Sequence, residues 1–171
     1  MDAALIQSER FFLRGLTESD ATERYWSWLQ DPDARKYITA AAQTQGIADL
    51  RRYISERVGR EDVLFLGIFD KAGGSHIGNI KYEPVDSRAS YAIMGVLIGE
   101  PAYRGQGVTG EVLEASARWL QATRGIRQIV LGVSTGNQAA IRAYEKVGFV
   151  AAPTPHIPRP IDGTLTMVWD L

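Results

Sequence analysis

Residues 103–120 read YRGQGVTGEVLEASARWL, and within them GQGVTG, residues 105–110, matches G-x-G-x-x-G. That pattern marks a dinucleotide-binding turn only in context. A strand must end at the first glycine, a helix must open inside the motif, and an acid must follow about 20 residues on, at the tip of the next strand. The helix is expected: Val108, Val112, Ala115, Trp119 and Leu120 share one face over residues 108–122. The other two requirements fail. Gly99, Glu100, Pro101, Ala102, Tyr103 and Arg104 separate the strand expected to end at Ile98 from Gly105, and the next strand runs into LGVSTGN with no Asp or Glu. No Gly-Lys-Ser/Thr follows, so this is not a Walker-type phosphate loop. An NAD-dependent oxidoreductase is therefore disfavoured. A glycine-rich turn before a helix N-terminus remains. The first amides of a helix lack intrahelical partners, and its dipole favours negative charge. Gly105 and Gly107 either let a phosphate approach the backbone or only make a tight turn.

The elements on either side predict the architecture. Residues 10–16 (RFFLRGL) read as a strand, and Thr17-Glu18-Ser19-Asp20 as the start of a helix that carries Ala21, Tyr25, Trp28 and Leu29 on one face and ends at Asp31-Pro32. A second helix is expected over residues 47–58. Strands follow over 63–69, 76–83 and 89–98, the first two joined by a Lys71-Ala72-Gly73-Gly74 turn. After the helix from 108 come a strand over 129–133, a helix capped by Asn137 and closed by Gly148, a Pro-rich loop and a last strand over 164–169. This order predicts a mixed α/β (α+β) domain, one unit over residues 1–171, around a single sheet rather than a doubly wound fold.

Composition narrows the function classes. The chain has 171 residues, 45% of them hydrophobic and 23% charged, with a net charge of -1 and no cysteine. No disulfide, zinc–thiolate site or cysteine nucleophile is possible. The charge gives no sign of a nucleic-acid partner: Arg51, Arg52 and Arg57 are diluted by Glu56 and Glu61 and read as a solvated helix face. The opening MDAALIQSER is not a signal peptide, and no apolar run is long enough to span a membrane, so a cytoplasmic protein is expected.

LIGEPAYRGQGVT followed by an amphipathic helix resembles the acyl-CoA loop of the GCN5-related N-acetyltransferases, the GNAT family. Its pattern Arg/Gln-x-x-Gly-x-Gly/Ala falls on Arg104, Gly107 and Thr109. A second block of the family, N-x-x-A-I-x-x-Y-x-K-x-G-F, falls on Asn137, Ala140, Ile141, Tyr144, Lys146, Gly148 and Phe149. FLRGLTESDA and WLQDPDARKYI are similar to the branch that includes ribosomal-protein-alanine N-acetyltransferases. The resemblance implies a mixed, mostly antiparallel, splayed sheet flanked by helices, with acetyl-CoA in the splay and no metal. It implies that backbone groups of Ile98 and Gly99 pair with pantetheine, and that an outward N–H there holds the oxyanion. It further implies that Arg104, Gly105, Gln106, Gly107, Val108 and Thr109 surround the pyrophosphate, that Asn137 binds the pantetheine arm, and that Tyr144 protonates the departing thiolate. Asn137 and Tyr144 lie within about 20° of each other on a helix, since seven residues turn through about 700°.

Two positions depart from the pattern. Thr109 stands where Gly or Ala is usual, and the strand before Asn137 carries no glutamate base. Direct attack of a neutral amine in a ternary complex is expected, with Glu100 the first candidate base and Glu83 the second. The acceptor pocket is expected from the first two helices and the Pro-rich loop, with Tyr37, Tyr82 and His156 facing it. HIGNIKYEPVD and MGVLIGEPAYRGQG are also similar to acetyltransferases of amino-sugar nucleotides, so a protein N-terminus, an amino-sugar and a small-molecule amine all stay open as acceptors. The rival on the same fold is a non-catalytic acyl-CoA sensor. Monomer and homodimer are equally open.

Overall fold

The computed structural model describes residues 4–171, apart from the side chains of Asp33, Lys36, Tyr37 and Thr39. Eight strands form one sheet: β1 (Leu5–Gln7), β2 (Phe11–Gly15), β3 (Leu64–Asp70), β4 (His76–Asp86), β5 (Tyr91–Ile98), β6 (Gln128–Ser134), β7 (Val150–Ala151) and β8 (Thr164–Asp170). Their order is β1-β2-β3-β4-β5-β6-β8-β7. Every pairing is antiparallel except β5 with β6. The mixed, mostly antiparallel fold expected from the sequence is the one observed.

Among the described residues there are six α-helices: α1 (Glu23–Leu29), α2 (Pro32–Tyr37), α3 (Thr39–Gln43), α4 (Ile47–Ser55), α5 (Val108–Arg124) and α6 (Gln138–Val147). α5 and α6 pack on one face, where Val112, Leu113, Ala117, Leu120, Ile141 and Tyr144 join Ile80, Tyr82, Ala92 and Met94. α1 and α4 pack on the other, through Tyr25, Trp28, Leu29, Leu50, Tyr53 and Ile54. Each fully buried aliphatic side chain stabilises the fold by about 1.5–3 kcal/mol.

The parallel pair fixes the site. β5 pairs with β6 only at Tyr91–Gln128, Ala92–Ile129 and Ile93–Val130. Beyond that point the two strands part. β6 continues against β8 to Ser134, and β5 continues against β4 to Ile98. A wedge-shaped cleft therefore opens between residues 94–98 and 131–134, at the C-terminal ends of the parallel strands.

Some elements differ from expectation. The helix expected from Thr17 begins as a single 3-10 turn, Glu18–Asp20, and α1 starts afresh at Glu23 with Thr22 as its cap. The break lies at Asp20, whose Oδ2 accepts from the Thr17 amide at 2.8 Å while the carboxylate also holds Arg14. Pro32 does end the α1 segment, and it also opens α2, since proline suits the first turn of a helix. β1, α2 and α3 were not expected. β4 runs past Pro84 through a register shift between Tyr82 and Val85.

Candidate active site in the splay of the sheet

Backbone pairing decides which groups of β5 face the cleft. Gly99 N–H donates to the Ile77 carbonyl at 2.9 Å, and Ile98 lies opposite Gly78. Backbone direction alternates along an antiparallel strand. Gly95, Leu97 and Gly99 therefore turn their polar backbone toward β4, and Met94, Val96 and Ile98 turn theirs into the cleft. Of the two residues expected to meet pantetheine, Ile98 presents an N–H to the cleft and Gly99 does not. Gly99 has a steric role. A Cβ there would lie 2.0 Å from the Trp28 ring.

The glycine turn stands at the mouth of the same cleft. Gly105 and Gly107 have φ of 71° and 75°, the left-handed conformation that side chains disfavour. Gly107 caps α5. The amides of Gln106, Gly107, Val108 and Thr109 donate to no backbone or side-chain acceptor among the described residues. Four unpaired donors at a helix N-terminus form an anion cradle. Arg104 does not point into it. Its Nε donates to Ile98 O at 3.0 Å and its Nη2 to Gly99 O at 3.3 Å, so it caps the strand end. The cation beside the turn is Arg10, which sequence reading missed. Its Nη2 donates to Gln106 O at 2.9 Å and its Nε to Glu111 Oε1 at 2.7 Å. No local signal could have found it, because Arg10 precedes the turn by almost a hundred residues.

On the far side of the cleft, Asn137 is the N-cap of α6, and its Oδ1 accepts from the Ala140 amide at 3.2 Å. That leaves only its amino group for a ligand. Two turns on, the Tyr144 ring is buried against Phe149, with centroids 5.7 Å apart. Burial pushes its phenol up to about 12, well above the ordinary value near 10. The group stays protonated across the working range and is a weaker acid than the sequence implied.

The two candidate bases differ. Glu100 is held against α1: Trp28 Nε1 donates to its Oε1 at 3.1 Å, and Arg24 Nε lies 3.7 Å from the same atom. Its Oε2 has no partner among the described residues. Glu83 sits among Arg57 at 3.0 Å, Lys81 at 3.6 Å and Arg60 at 3.7 Å. Bracketed by three cations, it anchors an ion-pair network.

A cavity of about 100 Å³ opens on the α1–α4 face of the sheet, lined by Tyr25, Ile38, Ala40, Tyr53, Phe65, Asn79, Lys81, Gly95, Val96 and Leu97. The early helices contribute as expected, and the Pro-rich loop does not. Two expected lining residues are elsewhere. Tyr82 is fully buried on the opposite face, with its hydroxyl 2.8 Å from Ser116 Oγ. His156 stacks on Tyr91 at 3.5 Å, at the other end of β5. Seven residues of strand, about 23 Å, separate it from Ile98. The Tyr37 side chain lies outside the described residues.

An acetyltransferase (GNAT) domain matches residues 10–150. The chain belongs to the GNAT family. Among curated relatives, the mycothiol acetyltransferase of Corynebacterium aurimucosum is 33% identical over 98 residues, which cover 53% of this chain and 31% of that protein. The chain thus spans about a third of that relative's length. Among solved structures, the ribosomal L7/L12 alpha-N-protein acetyltransferase RimL in complex with coenzyme A superposes with a TM-score of 0.83 at 15% identity, over 98% of each chain. The microcin C7 self-immunity acetyltransferase MccE, in complex with acetyl-CoA and AMP, gives 0.78 at 15% identity, over 95% of this chain and 93% of that one. At such identities the likeness carries the GNAT fold, splay included.

Proposed function

We propose that this protein transfers the acetyl group of acetyl-CoA to a primary amine by direct attack in a ternary complex, and that residues 1–171 work as one catalytic unit. The observation that carries the reading is the cleft itself. The outward backbone of Val96 and the outward N–H of Ile98, whose carbonyl is held by Arg104, lead to four unpartnered amides at the start of α5. An extended arm that pairs with a strand edge and ends in a diphosphate fits that sequence of groups. Gly105, Gln106, Gly107, Val108 and Thr109 hold the diphosphate, with Arg10 adding positive charge. The amino group of Asn137 meets the arm.

The acetyl carbonyl lies at the strand edge, where the outward N–H of Val96 or Ile98 takes the charge of the tetrahedral oxygen. The amine nitrogen attacks the carbonyl carbon, the C–S bond breaks, and the thiolate takes the Tyr144 proton. The amine loses its proton to Glu100 through the open Oε2. A protein N-terminal amine, with a pKa of about 7.7–8.0, asks little of that base near neutral pH. An amino-sugar is the other acceptor we propose to test. Acetyl-CoA and the amine are the only partners the reading requires, in a cytoplasmic monomer or homodimer. Among the described residues no helix is long and apolar enough to cross a membrane.

Thiol release from acetyl-CoA in the presence of amine acceptors tests the reading. Tyr144→Phe should lower kcat by about 10²-fold, the usual size of a general-acid contribution, and leave acetyl-CoA affinity within about twofold. Unchanged turnover would remove Tyr144 from the chemistry. A wild-type protein that binds acetyl-CoA but releases no thiol with any amine would favour the sensor.

A further inference from the structure

We propose that Asn79 orients the acceptor, its Nδ2 donating to a carboxylate or carbonyl oxygen that the acceptor carries beside its amine. The inference rests on the acetyl-transfer reading above.

Asn79 is 4% exposed, and its Nδ2 is the one buried side-chain polar atom without a partner among the described residues. Buried polar groups in folded proteins almost always find a partner, so an orphan that lines a cavity points to a missing ligand. The amide is held in place. Oδ1 lies 2.7 Å from His76 Nε2, and since an amide oxygen only accepts, the ring carries its proton there. His76 is itself clamped, stacked on Phe69 at 4.8 Å and edge-on to Trp28 at 4.9 Å and Tyr25 at 5.8 Å. Burial pushes its imidazole down, so the neutral ring is the resting form. With the oxygen taken by His76, the amino group is what the cavity can meet.

The two residues are three apart in an extended strand, where they would normally face opposite sides. The register shift at Ile68/Phe69, which leaves Ile77 unpaired in the ladder, brings them to one face. The same shift turns the fully buried Ile77 into the core beside Ile80, so it serves packing as well as the pairing of His76 with Asn79.

The position suits an acceptor. Asn79 lies opposite Leu97 on the neighbouring strand, and Gly95, Val96 and Leu97 line the same cavity. The strand that carries the orphan amide is therefore one spacing, about 4.8 Å, from β5, and the arm proposed to pair with the outer edge of β5 lies one spacing beyond. The other polar groups lining the cavity are the hydroxyls of Tyr25 and Tyr53 and the Lys81 ammonium, which donates to Tyr53 at 2.5 Å. Among the described residues no carboxylate lines it. Donors and a cation suit an oxygen acceptor and oppose a second ammonium.

The test uses the intact protein and four amines: alanine, alanylalanine, ethylamine and putrescine. Thiol release at saturating acetyl-CoA gives kcat/KM for each. Alanine and alanylalanine should exceed ethylamine by about 10-fold or more, with putrescine weakest. Comparing the first two separates a carboxylate from a peptide carbonyl as the oxygen source. Asn79→Leu should abolish the preference chiefly through the KM of the amine and leave acetyl-CoA affinity unchanged. His76→Phe keeps the ring and loses the orienting bond, so it should weaken the preference even if Asn79→Leu fails to fold. Equal or better use of ethylamine or putrescine, or a preference that survives both substitutions, would overturn the proposal. Acceptance of none of the four while acetyl-CoA still binds would overturn it too. Failure to bind acetyl-CoA at all would instead remove the reading on which it rests.

Discussion

A methyl group at Gly99 would lie 2.0 Å from Trp28. Trp28 in turn donates to Glu100, so one glycine positions the indole and the indole positions the proposed base. Gly99→Ala should therefore destabilise the fold by about 1–3 kcal/mol, the cost of overpacking, and reduce activity beyond what stability alone explains. Denaturant unfolding and thiol release measure the two effects. Glu100→Gln keeps the shape and the Trp28 bond but loses the base. With a lysine-like amine it should cut kcat by about 10²-fold. Unchanged turnover in that variant would disprove the assignment. No limb from Tyr144 is expected below pH 10, because burial pushes that phenol up to about 12. The spacing of Asn137 and Tyr144 made their shared face legible in the sequence. The raised pKa was not, because it comes from the residues packed around Tyr144. His76 and Asn79 were illegible as a pair, because strand periodicity places them on opposite sides and only the bulge reverses it.

Among the elements, the 3-10 turn before α1 is tied to β2 by charge. Arg14 grips Asp20 at 2.9 and 2.8 Å, and Asp20 caps the turn through the Thr17 amide. Burial works to raise the Asp20 carboxyl, but these hydrogen bonds outweigh it and hold the group below its ordinary value. A lowered folded pKa adds stability that is present above the ordinary carboxylate range, near 3.9, and lost as pH falls through the lower folded value. Asp20→Asn should cost about 2 kcal/mol at pH 7 and flatten the acid side of the stability curve, as thermal unfolding from pH 7 to pH 3 would record. The longer elements could be read from periodicity: α5, α6, β3, β6 and β8 start within a residue of their expected positions. The break at Asp20 could not, because its cause, Arg14, lies on another element. β1 is three residues long and too short to show a period. For Tyr82, alternation gives its side of the strand, but only the packing of α5 shows that this side is closed.

The splay itself is a property of the assembled sheet. β5 and β6 are separated in sequence by α5, and nothing in either strand states where their pairing stops. The family blocks implied a cleft, while the register shows that it opens after Ile93 and Val130. The GxGxxG hexapeptide sits at its mouth with four unpartnered amides, without the strand end and ribose acid that a dinucleotide needs. The thermal stability of the protein alone and with acetyl-CoA, NAD or NADP tests this most directly. A ligand at about 100 times its dissociation constant stabilises by about 2.7 kcal/mol, a rise of roughly 5–10 °C for a chain of this size. The expected result is that rise with acetyl-CoA and none with either dinucleotide. A rise with NAD or NADP and none with acetyl-CoA would contradict the account.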